Sequence, residues 1–184
     1  MSKKLINMVK KRKVQKEKYT EYKTIEDLDE TERKLFLIAY EKMEDAYAPY
    51  SKFHVGSAVL LKNGVIVGGS NQENASYGLS MCAERTALFN AGSNYPNTAV
   101  EKLVVVTKNY NKAVENDKKK TKNKDDHENC ILAPCGACRQ VILEYENRYD
   151  NNINILLIDS KGKVYKFNTV KQILPFAFGG YFLK

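Results

Sequence analysis

The spacing of apolar positions along this chain of 184 residues changes several times, and the helical stretches stand out first. In "DETERKLFLIAYEKMEDAYAPY", apolar side chains recur every three or four positions, which predicts a helix with one face on a core. We expect this helix to begin at a Thr31 cap and to end at Pro49. "SMCAERTALFNAG" predicts a short helix closed by Gly92, and "CGACRQVILEYEN" predicts a third helix.

Strands are predicted where apolar residues run together or alternate with polar ones. "FHVGSAVLLKNGVIVGGSN" predicts two strands joined at Asn63-Gly64, a dipeptide typical of a hairpin turn. Further strands are predicted at "KLVVVT", "CILAP", "INILLID" and "KVYKF", with a last short helix at "TVKQILP". Because strands alternate with helices, the sequence predicts an α/β protein, a three-layer α/β/α sandwich with a mixed sheet of about five strands.

Two polar segments interrupt this pattern and indicate the domain organisation. Residues 1–30 lack steady apolar periodicity, which predicts a basic N-terminal extension that is frayed or loosely docked. Residues 31–184 then form one domain, which is long enough to bury a core. Within it, residues 108–129 are rich in Lys and Asn and predict a low-complexity insertion.

The net charge of +8 bears on possible partners only through its location. Residues 1–18 carry +7 and residues 108–129 carry +2, which leaves −1 for the rest of the chain. We therefore interpret both segments as solvated rather than as a surface for nucleic acid or membrane. Apolar runs fall short of the ~18 residues of a membrane span, and the N-terminus is too polar for a signal peptide. These features predict a cytoplasmic protein.

Three thiols are placed to share one metal ion. In "PCGACRQ", Cys135 and Cys138 lie at i and i+3 in the first turn of a helix, and Cys82 lies at the start of another. The first N–H groups and the dipole of a helix stabilise thiolates, and three thiolates suit Zn²⁺. A strand from Cys130 to Pro134 would span roughly 13 Å at ~3.3 Å per residue, which places Cys130 too far from Cys135 to be a fourth ligand. The predicted site therefore keeps an open position, as catalytic zinc sites do.

Charged residues flank the three thiols. Glu84 points away from the ligand face, but its side chain can reach the open position. A carboxylate placed there serves as a general base and, once protonated, as a general acid. Arg85 and Arg139 are placed to offset the excess negative charge of three thiolates on Zn²⁺, although spacing alone is equally compatible with ordinary surface arginines.

The stretches "CAE" and "PCGAC", about fifty residues apart, fit the H/C-x-E…P-C-x-x-C signature of zinc nucleobase deaminases. Together with "AYAPYSKFHVGSAV", "NQENASYGLSMCAERTAL" and "LPFAFGG", they show that the chain resembles the small homotetrameric cytidine deaminases from about residue 35 to 180, apart from the insertion. The resemblance implies one zinc ion per subunit and active sites at subunit interfaces. It also implies hydrolytic deamination of cytidine and deoxycytidine, with release of ammonia, in pyrimidine salvage.

The resemblance further implies roles for the residues of the thiol site. Cys82, Cys135 and Cys138 match the zinc ligands of the family. Glu84 matches the group that moves protons from water to N3 of cytosine and to the departing amine. Arg85 matches an arginine that compensates the negative charge of the site, which favours it over the surface interpretation.

Substrate-binding roles follow from the resemblance in the same way. Asn71 and Glu73 match a pair that binds the ribose 3′-OH, and Phe53 matches an aromatic residue that packs against the pyrimidine. The Ala83 N–H matches a contact to the base carbonyl, and Tyr77 matches a side chain lent to a neighbouring subunit. Without the zinc motif, these side chains would be interpreted as turn formers and ordinary core.

At the C-terminus, the resemblance leaves two candidates for one role. Phe178 matches the phenylalanine that covers the base, with Phe176 as the alternative. The insertion precedes the second zinc-binding element, so the homotetramer is less firmly implied than the site.

Three other functions are compatible with parts of the pattern. A deaminase acting on a base within single-stranded nucleic acid would use the positive charge, but a contact to a free 3′-OH is incompatible with a continuing strand. A thiol–disulfide module fits "PCGAC" but leaves Cys82 and Glu84 unexplained. A structural zinc protein needs a fourth ligand, and we expect the two histidines, His54 and His127, to be solvated or simply packed.

Overall fold

The computed structural model describes residues 19–109 and 131–183, which form three α-helices and six strands. The helices are α1 (Glu30–Glu44), α2 (Ala83–Asn94) and α3 (Gly136–Tyr149). The strands are β1 (Thr20–Tyr22), β2 (Phe53–Leu61), β3 (Ile66–Ser70), β4 (Val100–Asn109), β5 (Asn154–Ile158) and β6 (Val164–Phe167). Short 3-10 helices lie at Ile25–Asp27, Tyr77–Leu79, Val170–Gln172 and Gly180–Leu183.

The six strands form one mixed sheet in the order β1-β6-β5-β4-β2-β3. β2 and β3 form the predicted hairpin, in which Ser57 lies opposite Gly69. β4 and β5 run parallel, with α3 between them in the chain, and the other neighbouring pairs are antiparallel. The two strands that precede α2 and α3 in the described chain, β3 and β4, are separated in the sheet by β2.

Helices cover both faces of this sheet, which confirms the predicted three-layer α/β/α sandwich. On one face, α1 contributes Ala39 to a core that includes Val104 of β4. On the other face, Leu88 of α2 and Ile142 of α3 share a core with Leu103 of β4. Because successive residues of a strand point to opposite faces, one strand supplies side chains to both cores.

The membership of the sheet differs from the prediction. β1 pairs with β6, with Glu21 opposite Tyr165, inside the segment that was expected to be loosely docked. The predicted strand at "CILAP" is wrong for residues 131–134, which form no strand. Ile131 and Ala133 instead pack against the core that α2 and α3 share. The apolar character of this stretch therefore reflects burial beside the helices rather than pairing in the sheet.

Two helix ends also differ from the prediction. Asp29, not Thr31, caps α1, because Asp29 Oδ1 accepts a hydrogen bond from the Glu32 N–H at 2.7 Å. α2 continues two residues beyond Gly92, so this glycine does not close the helix. A Cβ at position 92 would lie 2.3 Å from the Tyr145 hydroxyl, so the close approach of α3 explains the glycine.

The last short helix, predicted at "TVKQILP", is a single turn of 3-10 helix at Val170–Gln172, and Thr169 caps it. Residues 1–18 of the predicted extension and 110–129 of the predicted insertion lie outside the described residues, and the domain boundary at residue 31 stays a prediction. Among the helices of the described ranges, each is too short or too polar to cross a membrane.

Candidate active site

The three cysteines predicted to bind metal lie together at the ends of two helices. Cys82 is the N-cap residue of α2, Cys135 is the N-cap residue of α3, and Cys138 lies in the first turn of α3. The sulfur of Cys135 is 3.8 Å from that of Cys82 and 3.4 Å from that of Cys138. All three sulfurs lie within 4.8 Å of one another. We call these residues the thiol cluster.

Close packing of α2 fixes the position of the thiol cluster. A Cβ at Gly69 of β3 would lie 2.4 Å from the Ala87 N and 2.8 Å from the Ala83 O, so glycine allows the first turns of α2 to lie directly on the sheet. The Tyr145 hydroxyl of α3 donates a hydrogen bond to the Leu88 O of α2 at 2.6 Å. The first contact places the start of α2 on the sheet, and the second joins the middle of α2 to the C-terminal half of α3.

The donor set and spacing of the thiol cluster fit a zinc ion. A tetrahedral zinc with Zn–S bonds of about 2.3 Å places two sulfurs about 3.8 Å apart, and the sulfurs of Cys82 and Cys135 are 3.8 Å apart. Within residues 19–109 and 131–183, no His, Asp or Glu joins these three thiols as a ligand group. His54 Nδ1 lies 3.3 Å from the Met43 O, whereas Cys130 and His127 lie outside the described residues. Three protein ligands leave a position for water or substrate, as in catalytic zinc sites.

Hydrogen bonds within the thiol cluster already stabilise one thiolate. A hydrogen bond with Cys138, and another from Arg85 Nη2 at 3.3 Å, lower the pKa of the Cys82 thiol to about 5. The hydrogen bond with Cys82, together with burial, raises the pKa of the Cys138 thiol. Because metal ligation requires thiolates, zinc binding here releases protons and depends on pH.

Glu84 is a buried carboxyl group beside the thiol cluster. It lies in the first turn of α2 and is only 4% exposed. Burial, and to a smaller extent the negative charge of Cys82, raises the pKa of Glu84 to about 7. A carboxyl group that titrates near neutral pH is suited both to accept and to release a proton.

The two arginines that spacing could not distinguish have different contacts. Arg85 donates to the Cys82 sulfur, and its Nε is a buried nitrogen without a hydrogen-bond partner in the described part of the chain. The positive charge of Arg85 is thus directed at the thiol cluster. Arg139 instead donates from Nε to the Pro134 O at 2.6 Å and from Nη1 to the Ile173 O at 2.8 Å.

The segment that carries Asn71 and Glu73 lies beside the thiol cluster. Between them, the Gln72 N–H donates to the Met81 O at 2.9 Å and the Met81 N–H donates to the Gln72 O at 2.8 Å. Met81 immediately precedes Cys82 in the chain, so this pairing brings the predicted ribose-binding residues to the start of α2.

Both of these side chains are held by backbone groups. Asn71 Oδ1 accepts from the Val55 N–H at 2.8 Å, and Asn71 Nδ2 donates to the Phe53 O at 3.0 Å. Glu73 Oε2 accepts from the N–H groups of Tyr50 and Ser51 at 2.9 and 3.2 Å. Burial opposes ionisation of Glu73, but hydrogen bonds from Ser51 and Tyr50 outweigh it and lower the pKa of the carboxyl group. Tyr50 and Ser51 were not predicted to contact Glu73, and the contact from Tyr50 uses a backbone N–H, which leaves no residue-specific signal.

The other predicted substrate-binding residues lie on separate elements. Phe53 is the first residue of β2 and is partly buried, and Ala83 is the first residue of α2. Tyr77 lies in a 3-10 helix, is 64% exposed, and contacts the Tyr50 ring at a centroid distance of 5.7 Å. The ring of Tyr77 is therefore accessible at the surface of the single chain.

The two C-terminal phenylalanines differ in how firmly they are held. Phe176 is fully exposed and has a positive φ of 57°. Phe178 stacks on Phe182 at a centroid distance of 5.6 Å, and its carbonyl accepts a hydrogen bond from Gln140 Nε2 at 2.8 Å. The contacts of Phe178 favour it as the residue with a fixed position. Sequence analysis missed Gln140, although it follows Arg139 in "PCGACRQ".

The fold and the thiol cluster define an α/β protein with a three-thiolate zinc site and an adjacent buried carboxyl group. Comparison with known proteins identifies the same class. The sequence profile of the cytidine and deoxycytidylate deaminase zinc-binding region matches residues 29–149. The chain belongs to the cytidine and deoxycytidylate deaminase zinc-binding family.

Relatives and solved structures cover most of the chain. The cytidine deaminase of Halalkalibacterium halodurans is 39% identical over 140 residues, 76% of this chain and 88% of that protein. The cytidine deaminase of Sporosarcina psychrophila is 38% identical, over 79% of this chain and 89% of that protein. The crystal structure of cytidine deaminase from Burkholderia pseudomallei superimposes with a TM-score of 0.61 and 35% identity, covering 79% of this chain and 98% of that one.

Proposed function

We propose that this chain catalyses the zinc-dependent hydrolytic deamination of cytidine and deoxycytidine to uridine and deoxyuridine, with release of ammonia. The observation that carries the proposal is the buried carboxyl group of Glu84 beside three thiols whose spacing suits zinc. The relatives named above are cytidine deaminases, which supports cytidine as the substrate.

In this mechanism Glu84 moves the protons. A zinc ion held by Cys82, Cys135 and Cys138 would lower the pKa of a water molecule and so supply the nucleophile. Glu84 takes one proton from the attacking water and gives it to N3 of cytosine. As the water oxygen bonds to C4 and the bond from C4 to the amine breaks, Glu84 passes the remaining proton of that oxygen to the amine, which leaves as ammonia. Arg85 offsets the negative charge of the thiolates, since its guanidinium contacts the Cys82 sulfur.

We assign substrate binding to groups around the thiol cluster. Asn71 and Glu73 bind the ribose 3′-OH; their fixed side chains and the lowered pKa of Glu73 suit a hydroxyl ligand. Phe53 packs against the pyrimidine, and the Ala83 N–H contacts the base carbonyl. A site that grips a free 3′-OH selects nucleosides over a continuing strand.

We further propose a homotetramer in which Tyr77 and Phe178 complete sites at subunit interfaces. Large apolar side chains on the described surface support association, since an isolated chain exposes Leu79 at 70%, Phe176 at 100% and Phe182 at 63%. Size-exclusion chromatography with light scattering tests this stoichiometry directly. We also propose that the enzyme acts in pyrimidine salvage in the cytoplasm.

The deciding experiment compares ammonia release from free cytidine with release from a single-stranded oligonucleotide at equal cytosine concentration. Activity on the nucleoside alone supports the proposal. Activity on the oligonucleotide alone would contradict the assignment of Asn71 and Glu73. Metal analysis of the same sample should give about one zinc per chain, whereas a metal-free protein that reduces disulfides would indicate a thiol–disulfide module instead.

A further inference from the structure

The C-terminal segment, residues 169–183, is tied to α3 by side chains from both ends of that helix. We call this segment the C-terminal arm. Near the end of α3, the buried Glu146 accepts hydrogen bonds from the Val170 N–H at 3.0 Å and from the Thr169 hydroxyl at 2.8 Å. This contact fixes where the C-terminal arm begins.

The second attachment comes from Arg139, next to a residue of the thiol cluster. Its guanidinium donates from Nε to the Pro134 O and from Nη1 to the Ile173 O, at 2.6 and 2.8 Å. Pro134 directly precedes Cys135, and Ile173 lies in the C-terminal arm. One planar cation therefore joins the turn that presents a metal ligand to the arm that carries Phe178.

The third attachment follows at the next residue of α3. Gln140 Nε2 donates to the Phe178 O at 2.8 Å. The first turns of α3 thus supply two thiols through Cys135 and Cys138, and then two side chains that hold carbonyl groups of the C-terminal arm.

We propose that Arg139 is a positioning residue that holds Phe178 in its substrate-binding place by fixing the C-terminal arm against the metal-binding turn. This inference rests on the proposed role of Phe178 in covering the base. It replaces the interpretation of Arg139 as a charge that offsets the thiolates, because the hydrogen bonds of its guanidinium go to two carbonyls.

A role in positioning Phe178 and a role in offsetting the thiolate charge predict opposite results for Arg139→Lys. Arg139→Lys keeps the positive charge, but a single ammonium group on a flexible chain lacks the fixed fork that spans two carbonyls. We expect KM for cytidine to rise about ten-fold, the usual worth of one hydrogen bond from a charged group, with kcat and zinc content close to those of the wild type.

A matched control is available on the same helix. Arg148 also donates to a proline carbonyl, from Nη2 to the Pro96 O at 3.0 Å, but that carbonyl lies outside the C-terminal arm. Arg148→Lys should leave KM unchanged. A wild-type KM in Arg139→Lys, combined with a lowered kcat in Arg139→Gln, would overturn the proposal in favour of charge compensation.

A double-mutant cycle tests whether Arg139 acts through Phe178. If it does, KM of the double variant Arg139→Lys/Phe178→Ala should equal that of Phe178→Ala alone. Additive increases in KM would show that the two side chains act independently and would overturn the inference. A wild-type KM in Phe178→Ala would overturn it as well.

Hydrogen exchange of the zinc-loaded protein gives a readout that does not depend on activity. Amides of residues 173, 174 and 176–178 should exchange faster in Arg139→Lys than in the wild type and in Arg148→Lys. If Arg139→Lys fails to fold, Gln140→Ala replaces it in this experiment. Gln140→Ala removes the third attachment and should also make these amides exchange faster. Unchanged exchange in the folded variants would overturn the anchoring role, whereas a wild-type protein inactive on cytidine would contradict only the proposed function.

Discussion

Two buried glutamates on opposite faces of the sheet have opposite electrostatic settings. Glu32 of α1 is 2% exposed, and its Oε1 accepts hydrogen bonds from Lys102 and Lys166 at 2.8 and 2.6 Å. Glu84 of α2 is 4% exposed and lies among thiols, where burial raises its pKa to about 7. Glu32 therefore has two ammonium partners, whereas the setting of Glu84 brings its titration close to neutral pH.

The comparison shows that burial alone does not distinguish a functional carboxyl group from a structural one. Glu146 is also 2% exposed, but its oxygens accept hydrogen bonds from Thr169, Val170 and Ile153. A carboxylate whose partners are fixed contributes to stability, and one whose pKa lies near neutral can exchange protons. Substitutions in the two regions should therefore separate activity from stability.

Glu84→Gln is expected to produce the largest effect, and on activity alone. Loss of the group that moves protons should lower kcat for cytidine by about 10²–10⁴-fold. Because the side chain keeps its shape and is not a ligand, zinc content and the thermal midpoint should stay close to the wild type. Ammonia release, metal analysis and thermal unfolding on one preparation check this. Near-normal kcat would refute the assigned role.

Glu32→Gln should show the reverse behaviour. Glu32→Gln takes the anion away from Lys166 and leaves Lys102 paired only with Asp29. Because this removes one partner of a buried ion pair, we expect the free energy of unfolding to fall by roughly 3 kcal/mol. The kcat of the folded protein should not change. Urea denaturation with parallel kinetics measures both, and Glu30→Gln on the exposed part of the same helix is the control. A lower kcat in Glu32→Gln would show that the surroundings of Glu32 and the site around Glu84 are coupled.

Gly92→Ala should affect stability and the metal site together. The added Cβ would lie 2.3 Å from the Tyr145 hydroxyl, and overpacking of this kind costs about 1–3 kcal/mol. Because α2 and α3 carry the zinc ligands, zinc affinity measured against a competing chelator should fall as well. Adding Tyr145→Phe removes the hydroxyl and should restore part of both losses. If the double variant recovers neither stability nor zinc affinity, the contact between the added Cβ and the Tyr145 hydroxyl is not the cause of these losses.

Asp29→Asn should give the smallest effect, with a defined pH dependence. Burial of Asp29 acts to raise its pKa, but hydrogen bonds from the Glu32 N–H and Lys102 outweigh it, so the pKa is lowered. A lowered pKa stabilises the fold above the unfolded value and loses that contribution as pH falls through the folded value. Asparagine remains a good cap, so we expect a loss of about 0.5 kcal/mol at pH 7 for this exposed pair.

Urea denaturation of the wild type and Asp29→Asn at pH 7 and pH 3 checks this prediction. The difference between the two proteins should be smaller at pH 3, because the stabilising contribution of Asp29 is lost progressively as pH falls below the ordinary pKa of an aspartate and through the lowered pKa of the folded state. A difference that is constant across pH would point to an altered cap rather than to charge.

Local patterns in the sequence predicted the features that depend on neighbouring residues. Helical periodicity identified α1 and α3, and Asn63-Gly64 identified the β2–β3 hairpin. The errors involve contacts between distant residues. Gly92 looks like a helix terminator until Tyr145 of α3 is placed beside it, and β1 has too few residues to show a period of its own.

The same distinction between local patterns and contacts of distant residues applies to the candidate site. Cys135 and Cys138 were predicted to share a metal because their spacing within one helical turn is a local property, whereas Cys82 was grouped with them because it begins another helix in the same way. The contacts of Arg139 were not predictable, since the Ile173 carbonyl is 34 positions away and no side-chain type marks it. Backbone groups that fix a side chain carry no residue-specific signal.

The separation of the metal ligands along the chain has a consequence for the unfolded state. Cys82 and Cys135 are 53 positions apart, and a cross-link that closes a loop of this length in an unfolded chain stabilises the fold by about 4 kcal/mol. Closure entropy grows only with the logarithm of loop length, so the 22 residues at 108–129 change it by about 0.5 kcal/mol. The connection between Cys82 and Cys135 can therefore lengthen at little cost, whereas one helical turn fixes the interval between Cys135 and Cys138.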